Sequence, residues 1–156
     1  KILKKKKFNY FINGHTSGRY KIIDQIKHIG KINKFEYIVG SRFNNKQDAK
    51  DYSLTRKVAN IFFQKITSLV SSNKLNDPGN AIYLMSKKTF GKIYKNSMNL
   101  TNYSHFNHLL NVLIQSKTNE IFEYSLKWKD GNIKSHLNPS MYIIVLSLSL
   151  FKFLLT

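Results

Sequence analysis

Between Ser53 and Val70 the chain reads SLTRKVANIFFQKITSLV, and its apolar residues Leu54, Val58, Ile61, Phe62, Ile66, Leu69 and Val70 return every three or four positions. That is the spacing of one side of an α-helix. No Gly or Pro interrupts the segment, and Ser53 stands where an N-cap belongs, with a hydroxyl able to accept from the first free backbone N–H groups. A helix this long cannot leave its apolar side in water, so it must be part of a packed core. Val58, Ile61, Phe62, Ile66 and Leu69 are expected to pack against Ile82, Met85 and Ile93.

The flanking segments mix two periods. Residues 8–29 suggest a helical pair: Phe8, Phe11 and Ile12 share a face, NGHTSG breaks the run, and Ile22, Ile23, Ile26 and Ile29 resume it. Residues 31–43 look extended, because Ile32, Phe35, Tyr37 and Val39 are β-prone and Gly40 ends the stretch. SSNKLNDPGN reads as a loop. Residues 80–95 and 102–116 are further helix candidates. The first would gather Ile82, Met85, Phe90, Ile93 and Tyr94 on one side, with lysines at its C-terminal end where the dipole favours them. The second would gather Phe106, Leu109, Leu110, Leu113 and Ile114.

After Asn119 the period becomes two. Phe122, Tyr124, Leu126 and Trp128 alternate with Glu123, Ser125 and Lys127, and Asp130-Gly131 supplies a hairpin turn. The closing MYIIVLSLSLFKFLL alternates Leu with Ser and is expected as a strand beside that hairpin. Its uncharged run from Met141 to Phe151 is 11 residues long, against the roughly 20 that a spanning helix needs. No transmembrane span is expected. The fold expected is α+β, mainly α: a basic N-terminal arm at residues 1–7, a helical core at 8–116, and a small β-hairpin or β-element at 117–156.

Charge narrows the partners. The 26 Lys and Arg oppose 8 Asp and Glu, a formal net charge of +18. Charge on that scale repels itself in a compact chain unless a polyanion neutralises it. Yet 42% of the residues are hydrophobic, too many for a disordered basic tail, so a core forms. The cations fall in two tracts. Lys4, Lys5, Lys6, Lys7, His15, Arg19, Lys21, Lys27, Lys31, Lys34 and Arg42 make the first, and Lys87, Lys88, Lys92 and Lys95 the second. Lysine suits phosphate contacts, which drive affinity without reading sequence. Phe8, Tyr10, Tyr20 and Tyr37 are interleaved and could stack on unpaired bases. Four consecutive lysines without Arg or Ser suit an arm along RNA better than a mitochondrial targeting peptide. There are 23 Lys but 3 Arg, and 17 Asn and 17 Ile against 3 Ala and 2 Pro, the codon bias of an AT-rich genome such as that of an organelle.

Catalytic patterns are missing. The chain has no Cys, hence no disulfide framework and no thiolate zinc site. His105 and His108 stand three apart with no Asp or Glu within ten residues, which reads as a polar helix face rather than a metal site. No paired carboxylates, nucleophile elbow or phosphate-binding glycine loop stands out. An enzyme, a cofactor, a bound metal and a small-molecule substrate are not expected.

Three segments carry a resemblance. KFNYFINGHTSGRYKIIDQI resembles the first two helices of the small-subunit ribosomal protein seven family, with Phe8, Asn9, the Gly14-His15-Thr16-Ser17 turn, Ile22 and Ile23 in the matching places. RKVANIFF is similar to a late helix of that family at Val58, Ala59 and Asn60. NAIYLMSKKTFGKIYK is similar to its terminal helix at Met85, Tyr94 and Lys95. The resemblance does not extend to residues 96–156, and the family's β-ribbon has no counterpart in residues 30–52. It implies a structural role in the head of the small ribosomal subunit. The expected function is a structural constituent of a mitochondrial ribosome in the matrix. It would bind ribosomal RNA through Lys-rich surfaces and meet neighbouring ribosomal proteins through residues 119–156. A basic matrix-side accessory subunit of a respiratory membrane complex is the alternative.

Overall fold

The computed structural model describes residues 9–15, 19–45, 52–71, 74–100, 106–129 and 139–154, except for the side chains of 70, 95–100, 139–140 and 152–154. Four strands form one mixed sheet: β1 (Tyr10–Asn13), β2 (Tyr37–Ser41), β3 (Tyr83–Ser86) and β4 (Ile121–Ser125). Their spatial order is β1-β3-β2-β4. β3 runs antiparallel to both neighbours, while β2 and β4 are parallel, from Tyr37 opposite Ile121 to Ser41 opposite Ser125. β1, β2 and β4 therefore point the same way, and their carboxyl ends gather at one end of the sheet. The helices are α1 (Ile22–Ile26), a 3-10 turn (Ile29–Asn33), α2 (Leu54–Val70), α3 (Lys87–Leu100), α4 (Phe106–Gln115) and α5 (Pro139–Leu154).

Alternation along the strands divides the interior into two cores. Tyr37, Val39, Tyr83 and Met85 point to one face, where Phe63, Ile93, Leu109, Leu113, Leu146 and Leu150 of the four long helices cover them. Ile38, Leu84 and Tyr124 point to the other face and join Ile82, Leu126 and Trp128 there. Tyr20, Ile29, Ile32 and Phe35, from the layer of residues 20–35, pack on that second core. β2 is buried along its whole length, as expected of a central strand covered on both faces.

The α+β class expected from the sequence is the class found, and Ser53 caps α2, its Oγ accepting from Arg56 N at 3.4 Å. Several elements differ from expectation. Tyr10–Asn13 is a strand, not part of a helical pair: Phe11 turns inward to stack on Phe90 at 5.4 Å, while Ile12 is exposed. Four residues are too few for periods of two and 3.6 to be told apart. The same ambiguity hid β3. Ile82 and Met85 mimic a helical face but belong to opposite cores, and the helix begins only at Lys87.

The largest correction concerns α2. Its buried side chains are Asn60, Phe63 and Thr67, with Ala59 and Ile66 partly buried. Val58, Ile61, Phe62 and Leu69 are exposed to 57%, 52%, 39% and 84%. The helix carries two apolar arcs side by side, and packing selected one. Two polar groups can enter because they are satisfied: Asn60 Nδ2 donates to Asn76 O at 2.8 Å and Thr67 Oγ1 to Phe63 O at 2.8 Å.

The expected final strand is also a helix. α5 spans 16 residues, long for a strand, and buries Leu146 and Leu150, four apart, in the helical core. Ser149 Oγ donates back to Val145 O at 2.8 Å, so the Leu–Ser alternation is decorative rather than a strand signal. The Asp130-Gly131 turn lies outside the described residues. The pattern around it holds in part: Phe122, Tyr124, Leu126 and Trp128 do share one core. But β4 pairs with β2 of the main sheet, so among the described residues Ile121–Ser125 belong to that sheet. Among the described residues no helix is long and apolar enough to cross a membrane.

Candidate nucleic-acid interface

The carboxyl end of the sheet is tied together by a buried polar network built on the loop from Lys74 to Asn80. Asp77, fully buried, accepts from Arg42 N at 3.0 Å, Nε at 2.6 Å and Nη2 at 2.6 Å. Arg42 Nη1 donates to Tyr52 OH at 2.7 Å. Burial alone would lower the affinity of this guanidinium for its proton, but the Asp77 charge and hydrogen bonds outweigh it and raise the pKa, so Arg42 stays charged. Glu123 clasps the same loop, accepting from Asn76 N at 2.9 Å, Asn76 Nδ2 at 2.7 Å and Asp77 N at 3.1 Å. Asn111 donates to Pro78 O at 2.7 Å and Asn80 O at 3.1 Å, and accepts from Tyr37 OH at 2.6 Å. Gly79 lies against the His108 ring so closely that a Cβ there would enter the ring. Arg42, expected to bind RNA, is thus committed to Asp77 and Tyr52 and holds the loop instead.

Exposed cations gather on the layer covering the second core. Lys21, Lys27, Lys31 and Lys34 are all exposed there. Residues 21–34 contain one carboxylate, Asp24, which pairs with Lys27 at 3.1 Å. Lys31 Nζ stands 3.7 Å from the centre of the Phe122 ring, and Lys34 Nζ stands 5.7 Å from that of Phe35. Both ammonium groups therefore have an aromatic floor below and solvent above. His28 lies 4.4 Å from Tyr124; burial, then Lys31 and Lys27, lower its pKa, so it is neutral at pH 7. Lys127 and Lys129, after β4, are exposed as well. The alternation that sends Leu126 and Trp128 inward already implied that these two point out.

The same end of the molecule holds all three arginines. Arg19 and Arg42 lie over Trp128 at 5.8 and 5.5 Å, and Arg42 and Arg56 lie over Tyr52 at 5.4 and 5.5 Å. His15 meets Trp128 edge-on at 6.1 Å, and Tyr20 stacks on it at 6.5 Å. All three arginines are thus placed against aromatic rings. A planar guanidinium stacks and forks in ways an ammonium cannot. Sequence reasoning missed Arg56, Tyr52 and Trp128 here, because nothing in their spacing links residues 19, 42, 56 and 128.

The second lysine tract plays a different part. Lys87, Lys88 and Lys92 occupy the first turns of α3, not the C-terminal end of a helix. Cations are unfavourable at a helix N-terminus, and Glu36, 5% exposed, compensates. Lys88 pairs with it, as does Lys92 at 2.9 Å, and Thr89 Oγ1 donates to it at 3.2 Å. Burial pushes the Glu36 carboxyl up, but hydrogen bonds from Lys88, Lys92 and Thr118 outweigh it and bring the pKa to about 2. Beside them opens a polar groove of about 490 Å³, also lined by Lys117 and Glu120. The side chain of Lys95 and the whole of Lys4, Lys5, Lys6 and Lys7 lie outside the described residues.

His108, expected on a polar helix face, is a core residue. It packs edge-on against Phe63 at 4.9 Å, with Tyr142 OH 3.1 Å from Nδ1. His105 lies outside the described residues. Among the described residues no cluster of His, Asp and Glu could hold a metal ion. No protein-family model matches the chain, and neither does any curated protein or solved structure.

Proposed function

We propose that this chain is a structural RNA-binding protein of an organellar ribosome, holding ribosomal RNA by neutralising phosphates on the face formed by residues 21–34. The row Lys27, Lys31 and Lys34, exposed beside Lys21 in a segment whose one carboxylate is Asp24, carries the proposal. The row follows a near-helical spacing, and Ile29, Ile32 and Phe35 anchor its layer on the core beneath. Its cations are thus presented on a rigid support, which lowers the ordering cost of binding. The net charge of +18 supplies the long-range attraction. Placement in the small subunit rests on the resemblance at Val58–Asn60 and Tyr94–Lys95, which stand on helices here; the matches at Tyr10–Asn13 and Met85, to helices of that family, fall on strands in this chain and lend it no support. Placement in a mitochondrion rests on the AT-rich codon signature.

The test is salt-dependent RNA binding. Each phosphate contact contributes about 0.7–0.9 to the slope of log affinity against log salt. Replacing Lys27, Lys31 and Lys34 together by Ala should lower that slope by about 2 to 3. An unchanged slope removes this face from the interface. Sedimentation tests the ribosomal part separately: the protein should travel with ribosomal particles and leave them after RNase. Retention on detergent-solubilised membrane complexes after RNase overturns it.

A further inference from the structure

We infer that the outer side of α2 is a docking seam for a helix of another protein, and that this partner helix is amphipathic and acidic. Leu54, Val58, Ile61, Phe62 and Leu69 are exposed to between 39% and 84% on a single helix of 17 residues. Apolar exposure of that density marks an interaction surface. The spacing specifies the shape of the occupant. Leu54, Val58, Ile61 and Lys65 follow steps of four, three and four, the rhythm by which one helix lies along another. The inner side of α2, with Phe63 and Thr67, is already occupied by the core, so the seam is a second, independent stripe.

Charge selects among occupants. α2 contains no Asp or Glu, and the exposed Lys65 stands within the stripe. A second copy of the chain would bring Lys65 towards like charge, with +18 on each molecule. RNA phosphates gain nothing from Leu54, Val58 or Ile61. A helix with apolar side chains along its centre and carboxylates at its borders satisfies both the stripe and the lysine. The outer side of α5 is apolar as well, but its described exposed residues carry no charge that would choose a partner.

The experiment uses the full chain and synthetic helical peptides about three heptads long, with Leu at the central positions and Glu at the flanking ones. Lys-flanked and Ser-centred versions serve as comparisons. Fluorescence anisotropy should give tightest binding for the Leu-centred acidic peptide. Val58→Glu and Ile61→Glu, each at an exposed position, should weaken it about tenfold or more with unchanged circular dichroism. Lys65→Glu should shift preference towards the Lys-flanked peptide. The inference is overturned if the Ser-centred acidic peptide binds equally well, because charge alone then suffices. It is also overturned if neither Leu-centred peptide binds, or if Ile61→Glu instead abolishes self-association in sedimentation or binding to anionic vesicles.

Discussion

Asp77→Ala tests the polar network that closes the carboxyl end of the sheet. Asp77 is fully buried and receives three hydrogen bonds from Arg42, two of them from the guanidinium at 2.6 Å. Removing the carboxylate leaves a guanidinium that is largely enclosed, its side chain 20% exposed, without its counter-charge. Breaking a buried pair from one side costs about 3–5 kcal/mol. In a chain of this size each kcal/mol moves Tm by roughly 2–4 °C, so a fall of about 6–20 °C is expected by differential scanning calorimetry. Arg42→Lys keeps the charge but cannot reproduce the fork to both Asp77 oxygens and Tyr52. It should therefore lower Tm while leaving the salt slope of RNA binding unchanged. A loss below about 1 kcal/mol for Asp77→Ala would refute the reasoning, since a buried pair removed from one side cannot cost so little. A reduced salt slope for folded Arg42→Lys would return Arg42 to the RNA surface.

The two arcs of α2 separate cleanly by mutation. Phe63→Ala should cost about 3–5 kcal/mol in urea unfolding, and Phe62→Ala, one residue earlier, below about 1 kcal/mol; equal losses would mean the buried side has been misassigned. Gly79→Ala should destabilise by about 2 kcal/mol or more, because the new methyl group displaces the His108 ring. His108→Ala in the same chain should recover part of the Gly79→Ala loss, and a purely additive double mutant would argue against the clash. Glu36 has a depressed carboxyl pKa, so its stabilisation is complete above about pH 4.5 and is lost as pH falls towards about 2. The partner lysines are exposed to a third or more, so solvent screening keeps the increment small. Glu36→Gln should remove that increment at neutral pH and flatten the acid limb of the stability curve; an unaltered acid limb excludes Glu36 as its source.

Elements that combine length with a sustained period were legible in the amino-acid order alone. Ser53 to Val70 is long enough for 3.6-residue spacing to be unmistakable, and α2 begins at the Ser53 cap. The alternation of Phe122, Tyr124, Leu126 and Trp128 correctly placed four side chains on one side. The excess of cations and the absence of cysteine are equally properties of the chain before it folds. Whatever depends on what lies opposite was settled by packing. Packing chose Phe63 over Phe62, because a helix apolar over two adjacent arcs can present either, and the partner surface makes the choice. It turned Tyr10–Asn13 and Tyr83–Ser86 into strands, because four-residue segments have no decisive period and acquire one only from a ladder partner. It made α5 a helix, which buries Leu146 and Leu150 and leaves Leu148 between them exposed, where a strand would have put all three on one face. It also sorted the cations, sending Arg42 to Asp77, Lys88 and Lys92 to Glu36, and Lys27, Lys31 and Lys34 to the surface. A cation in a sequence has a charge but no partner; only the fold brings a carboxylate to within 3 Å of Arg42 from 35 residues away and of Lys92 from 56.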